Sequence, residues 1–195
     1  MSKILHIETS TTVCSVCISE NEICKHSREN FTGNNHSELI GVFVRDLLQE
    51  SNLKPQDLDA VSLSIGPGSY TGVRISLTIA KVMALALNIP LYLVSSLQIL
   101  KDGKNPSICI INARSNRSYV GVYENDKVIL SDTIMKNDEL KQYIEVHKDY
   151  VVCGNANHLG IEGKESNVLS EMISLIDYIT PTDNSLGATP VYMKD

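Results

Sequence analysis

Gly66-Pro67-Gly68-Ser69-Tyr70-Thr71-Gly72-Val73-Arg74 is the stretch on which the reading of this chain turns. It follows residues 60–65, which read as a buried strand, and precedes a long apolar helix that ends near Asn88. Three glycines and a proline within seven residues continue neither element. A strand–loop–helix joint of this kind holds backbone N–H groups at a helix N-terminus, where an anion or a close partner is favoured. A tight connection capped by Ser69 or Thr71 explains the same residues. No Gly-Lys-Ser/Thr follows the glycines, so the loop is not a nucleotide P-loop. It also lacks a nucleophile elbow, and no histidine lies nearby in sequence to activate Ser69 or Thr71.

Working outward, the helix after the loop carries Ile75, Leu77, Ile79, Val82, Met83, Leu85 and Leu87 around most of its circumference. Such a helix is predicted to be covered on two sides. Gly72, Ser76, Ala80 and Ala84 form a small-residue stripe at a spacing of four, where another helix can approach closely. The chain's own sheet and preceding helix supply the two covers as well as a partner would. That preceding helix opens at Ser37, its predicted cap, and presents Leu39, Ile40, Phe43, Val44, Leu47 and Leu48 on one apolar face, widened by Val42.

Ahead of it lie three short strands, residues 4–8, 13–18 and 22–26, separated by turns at 9–12 and 20–21. Connections this short make an antiparallel meander. The polar stretch 29–35, with Gly33-Asn34-Asn35, ends it, and Pro55 marks residues 52–59 as a connector.

Downstream, residues 90–95 read as a strand, Ser95-Ser96 as the cap of a short helix, and Asp102-Gly103-Lys104-Asn105-Pro106 as a boundary. The order of elements then restarts. Residues 108–112, 119–123 and 127–130 form a second meander with Asn125-Asp126 as hairpin turn, followed by a helix at 138–147 and a strand at 150–153. Two halves of like order imply a structural duplication: an N-terminal lobe, 1–103, carrying the two apolar helices, and a C-terminal lobe, 104–195, whose tail packs back on the first. Ligands or partners are expected at the cleft between them. A short helix at 168–176, a polar tail at 180–190 and a closing Val191-Tyr192-Met193 complete the chain.

Composition narrows the function. A net charge of -6 gives no basic footprint, so nucleic acid is expected only through a partner. No apolar run reaches bilayer-spanning length and the N-terminus lacks a signal peptide, so a cytoplasmic protein without membrane contact is expected. The five cysteines are odd in number and all but Cys24 lie in apolar runs, as reduced core thiols do. Cys14 and Cys17, three apart on a strand, point to opposite faces, and the five histidines have no metal-ligand spacing, so no metal is expected. Glu8 is the one carboxylate beside the first meander turn, and the matching strand end of the second half carries Asn112, which cannot serve as a base. Turns 9–12 and 113–118 can clamp a phosphate between the lobes; Arg114 and Arg117 meet an anion there or are simply solvated.

The opening Ile4-Leu5-His6-Ile7-Glu8-Thr9-Ser10-Thr11, the His36-Ser37-Glu38-Leu39 helix start, the glycine loop, Ser95-Ser96-Leu97, Asn112-Ala113-Arg114 and the closing Pro190-Val191-Tyr192 together resemble the TsaB (YeaZ) family of the glycoprotease-like superfamily. The resemblance implies an α/β fold of the actin/Hsp70-like (ASKHA, ribonuclease H-like) type, with two related lobes and the second reduced. It also implies a bacterial dimerisation and scaffold subunit, itself non-catalytic, that supports the threonylcarbamoyl modification of adenosine 37 in tRNAs reading codons that begin with A. The implied partners are a TsaD-type transferase and a TsaE-type ATPase, with tRNA reached only through the complex, and a homodimer when alone. On this reading Leu39, Phe43, Leu47, Gly72, Ser76, Ile79, Ala80, Met83 and Ala84 form the partner interface. Thr9, Ser10, Gly68, Ser69, Arg74 and Arg114 are the nucleotide or anion contacts, with ATP or ADP held at the partner interface. The family's usual Asp is replaced by Glu8 and Asn112, which weakens any autonomous ATP hydrolysis. The competing readings are a metallopeptidase of the glycoprotease group, an ATPase acting alone, or a small-molecule kinase of the same fold.

Overall fold

The computed structural model describes residues 2–32, 36–125 and 127–193; for His36 and Ser37 it describes the backbone only. The expected cap role of Ser37, the Gly33–Asn35 break and the Asp126 half of the hairpin turn lie outside the described residues.

The first sheet is built from β1 (Lys3–Glu8), β2 (Cys14–Glu20), β3 (Ile23–Asn30), β4 (Ala60–Ser64) and β5 (Leu91–Val94), in the order β3-β2-β1-β4-β5. Helix α1 (His36–Glu50) links β3 to β4, and α2 (Tyr70–Leu87) links β4 to β5. The second sheet, β8-β7-β6-β9, is built from β6 (Ser107–Arg114), β7 (Arg117–Glu124), β8 (Lys127–Lys136) and β9 (Val151–Gly154), with α3 (Asn137–Val146) between β8 and β9. In each sheet the first strand pairs antiparallel with the second and parallel with the strand that follows the helix. The predicted repeat of element order is therefore present: an α/β fold with two sheets of like order.

Several boundaries differ from expectation: β8 runs on to Lys136 rather than ending at 130, because β7 offers partners as far as Arg117, and the expected 113–118 turn narrows to the residues between Arg114 and Arg117. β3 runs on through Glu29 and Asn30, because β2 continues to offer partners at Ser15 and Cys14. Residues 191–193 add no regular element; the Val191 N–H instead donates to the Ile65 carbonyl at 2.9 Å.

Alternation along β1 sorts the two faces of the first sheet. Leu5 and Ile7, with Val16, Ile18, Val61 and Leu63, form the core beneath α1 and α2. The opposite face carries His6, Glu8, Ser15, Ser19, Ser62 and Ser64, all buried. Helix α4 (Val168–Leu175) returns from the C-terminal half to pack on this face, with Leu169 and Ile173 against Cys17. The Lys101 ammonium, 3.2 Å from Glu171 Oε2, ties the segment between the sheets to α4.

The tail is fastened to the first lobe. The Thr182 N–H donates to the Leu91 carbonyl, Ala188 enters the first core, and the Lys81 ammonium donates to the carbonyls of Leu186 and Ala188 at 2.6 and 2.9 Å. α2 reaches the length and hydropathy of a membrane span, contrary to the reading that no run did so; one side of it, including Val73, Leu77, Ala80 and Ala84, is buried in this protein's own interior. All five cysteines are free, four of them buried and Cys24 exposed. Cys14 and Cys17 do face opposite sides of the sheet.

Candidate functional site

The glycine loop is a joint with the β1–β2 turn. Ser69 caps α2, its hydroxyl accepting from the Gly72 N–H at 3.2 Å, while the Val73 N–H donates to the Ser69 carbonyl. The Ser69 N–H donates to the Ser10 carbonyl at 2.7 Å, and the Thr9 hydroxyl donates to the Gly72 carbonyl at 2.8 Å. A Cβ at Gly72 would collide with the Thr9 carbonyl oxygen, and one at Gly68 with that of Ser10. Gly66, at φ +104°, occupies the left-handed region, and a Cβ there would lie 2.9 Å from the Val191 carbonyl oxygen. Its N–H donates to the Ser96 hydroxyl at 3.0 Å. The glycines thus allow backbone to touch backbone, and the N–H groups of Gly66, Ser69, Gly72 and Val73 are spent on protein acceptors.

This corrects part of the expected anion site. Thr9 and Ser10 are buried and their hydroxyls are committed, to Gly72 and to Glu8 respectively, so neither faces a ligand. Gly68 is packed on Ser10. Ser69 is exposed, but its hydroxyl is the helix cap. Arg74 is exposed beside the loop and engaged by aromatic rings: its guanidinium lies 3.8 Å from the Tyr70 ring centroid and 5.5 Å from that of Tyr192, and its Nε donates to the Tyr192 hydroxyl at 2.6 Å. Arg114 sits exposed on the β6–β7 turn of the other sheet. The joint brings Thr9, Ser10, Gly68 and Ser69 together; Arg114, at the end of β6 in the second sheet, is not part of the joint.

Glu8 is fully buried, with Oε1 accepting from the Ser10 N–H at 2.7 Å and the Ser10 hydroxyl at 2.5 Å. Its Oε2 has no hydrogen-bond partner among the described residues, nor do the hydroxyls of Ser62 and Ser64 on the same face. Burial raises its pKa above the usual carboxylate range, despite the opposing Ser10 bonds. A carboxyl with no exposed surface, held by Ser10 inside the sheet, is not placed to bind a cation or activate water. Asn112 is exposed, its Oδ1 accepting from the Arg114 N–H at 2.8 Å.

Burial divides the expected partner interface in two. Leu47, Gly72, Ser76, Ala80 and Ala84 are buried inside the chain, Leu47, Ala80 and Ala84 in the first core; the stripe therefore lets α2 lie close to its own sheet and is closed to another molecule. Leu39, Phe43, Ile79 and Met83 are half-buried on its rim. Outward of them, Val82 is 60 % exposed, Leu85 45 % and Val42 39 %. α2 is thus covered on one side only, and α1 and α2 together present an apolar surface to solvent.

A separate cleft of about 620 Å³ is lined by Arg117, Asp132, Thr133, Lys136, Glu139 and Met193 among others; of the arginines expected to meet an anion, Arg117 lines it, and Thr9, Ser10, Gly68, Ser69 and Arg74 do not. The Tyr70–Arg74–Tyr192 stack and the Lys81 bonds to the tail escaped the sequence reading, because their partners lie more than a hundred residues apart along the chain.

Residues 26–154 match the family model described as TsaD, tRNA N6-adenosine threonylcarbamoyltransferase. A tRNA threonylcarbamoyladenosine biosynthesis protein TsaB of Bacillus subtilis is 33 % identical over 153 residues, covering 75 % of this chain and 66 % of the relative. The TsaB protein of Escherichia coli is 32 % identical over 131 residues, covering 64 % and 56 %. The chain thus spans just under two thirds of the first relative's length and little over half of the second's. In structure, YeaZ from Pseudomonas aeruginosa superposes with a TM-score of 0.82 at 24 % identity, covering 99 % of this chain and all of that one, and so shares its fold.

Proposed function

The chain belongs to the TsaB (YeaZ) family, and from that premise we propose that it is a non-catalytic dimerisation and scaffold subunit of a cytoplasmic complex that forms N6-threonylcarbamoyladenosine at position 37 of tRNA. The transfer itself is assigned to a TsaD-type partner, with a TsaE-type ATPase joining the assembly and tRNA reached through the complex.

The observation that carries this reading is the apolar surface of α1 and α2, where Val42, Val82 and Leu85 stand in water above half-buried Leu39, Phe43, Ile79 and Met83. Apolar side chains gathered on one helical face are what an obligate partner covers. The same face joins two copies when the chain is alone. Glu8 supports the assignment of chemistry to the partner, since a fully buried carboxyl held by Ser10 reaches neither substrate nor metal. ATP or ADP, where present, is held at the partner interface, with Arg74 and Ser69 as the exposed groups of this chain nearest the α2 N-terminus.

Reconstitution tests the proposal. Purified chain alone is expected to leave tRNA unmodified, and modified adenosine 37 is expected when the transferase subunit, the ATPase and the carbamoyl adenylate donor are added. Modification by this chain alone, or an unaltered yield when it is omitted, overturns the reading.

A further inference from the structure

The polar face of the first sheet contains a second feature that the scaffold role does not use. β2 and β3 pair antiparallel with Cys17 opposite Ser27 and Ser19 opposite Cys24, and a bulge between Ile18 and Ser19 accommodates the extra residue on β3. Alternation therefore places Cys17, Ser19, Cys24 and Ser27 on one face, with the two thiols diagonal neighbours across one pair of strands. Cys17 is fully buried beneath Leu169 and Ile173 of α4, whereas Cys24 is exposed near the start of edge strand β3.

We infer that Cys24 is a hydroperoxide-reactive thiol and that Cys17 is its resolving partner. An accessible thiol beside a sheltered second thiol on the same face is the arrangement on which reversible thiol oxidation rests. The hydrogen bond from Cys17 stabilises the Cys24 thiolate and brings its pKa down to about 6, while the same bond and burial raise that of Cys17. Cys24 is then largely ionised at neutral pH and Cys17 is not. The His26 carbonyl, 3.9 Å from Cys24 Sγ, accepts from the thiol in the fraction that keeps its proton, a long and weak bond.

The Cys24 thiolate attacks one peroxide oxygen, the O–O bond breaks, and the second oxygen leaves and is protonated, so that Cys24 carries a sulfenic acid. The Cys17 sulfur then bonds to the Cys24 sulfur as the S–O bond breaks, and the hydroxyl departs as water with the Cys17 proton. Two electrons pass from the thiol pair to the peroxide. Diagonal neighbours have Cα atoms about 7–8 Å apart and a disulfide needs about 4.4–6.8 Å, so the strands must close by about 1 Å. The start of β3 lies on the sheet edge beside a bulge, where the ladder is already interrupted and such a shift stays local. The Cys109–Cys153 pair, also neighbours in register, is buried on both sides and gives an internal control without peroxide access.

The test is intact-mass and peptide mapping of the full chain after hydrogen peroxide at neutral pH. The folded protein is expected to lose two hydrogens, to yield a peptide cross-linked between Cys17 and Cys24, and to recover its mass with a thiol reductant. Cys24→Ser, at an exposed position, is expected to abolish the loss; Cys17→Ser is expected to stop at a sulfenic acid on Cys24 that dimedone traps. Unchanged mass of the folded wild type, oxidation of Cys24→Ser at the wild-type rate, or a covalent Cys24–Cys24 dimer as the product would overturn the inference.

Discussion

The Ser95 hydroxyl donates to the Asp132 carboxylate and so joins the end of β5 in one lobe to β8 in the other. The same hydroxyl accepts from the N–H groups of Leu97 and Gln98, at 3.1 and 3.2 Å, capping the short helical turn that leads out of the first lobe. Asp132 also accepts from the hydroxyl of Tyr123, whose pKa is raised by burial and then by the adjacent carboxylate. Ser95→Ala removes a cap and half of the Asp132 environment in one step. It is expected to cost about 1–3 kcal/mol in denaturant unfolding, whereas Ser95→Thr, which keeps the hydroxyl, is expected to retain most of it.

Glycines in this chain answer differently to the same substitution. At Gly72 a Cβ meets the Thr9 carbonyl oxygen, and Thr9 is held there by the bond its hydroxyl donates to the Gly72 carbonyl, so Gly72→Ala is expected to destabilise by about 3 kcal/mol. At Gly41, inside α1 with nothing within 4 Å, Gly41→Ala is expected to stabilise by about 0.5–1 kcal/mol. Equal responses in thermal melts would contradict the close-approach role of the loop.

Two buried titratable groups on the polar face give opposite pH dependences. Burial lowers the His6 pKa to about 3, so the folded state binds its proton less readily than the unfolded state, where the value is near 6.5. Its contribution is complete above about pH 6.5 and is lost as pH falls toward about 3. His6→Gln, which can keep the bond to Ser19, is expected to flatten the acid limb of the stability–pH curve.

For Glu8 the sign reverses. A raised folded pKa means stability is complete below the unfolded carboxylate value, about 4.3, and declines as pH rises through the folded pKa. Glu8→Gln, able to keep both bonds from Ser10 on its amide oxygen, is expected to melt higher than wild type at neutral pH. The advantage should vanish below about pH 4.

Side chains one turn apart or less on α2 separate folding from association. Ala80 is fully buried against the sheet, so Ala80→Leu is expected to cost about 1–3 kcal/mol of stability through overpacking. Val82 stands 60 % exposed, so Val82→Glu is expected to shift stability by no more than about 0.5 kcal/mol while weakening co-sedimentation with the transferase partner. Undiminished co-sedimentation would remove α2 from the proposed interface.

Much of the fold was legible in the sequence because it rests on local rules. Alternating and continuous apolar runs gave the strands, a 3.6-residue period gave α1 and α2, and the repeated order of elements gave two lobes. The glycine loop was legible as a joint for the same reason: a backbone without side chains must be approached closely by something. What approaches it, the Thr9–Ser10 turn, was not legible, since that contact spans about sixty residues of chain. The small-residue stripe shows the limit most plainly. Gly72, Ser76, Ala80 and Ala84 announce that α2 is closely covered, but helical periodicity is the same whether the cover is the chain's own sheet or another molecule; only tertiary packing chose the sheet and left Val82 and Leu85 outside. The upward shift of the Glu8 pKa was decided in the same way, because it comes from desolvation by the elements packed around the carboxyl, a property of the whole assembly.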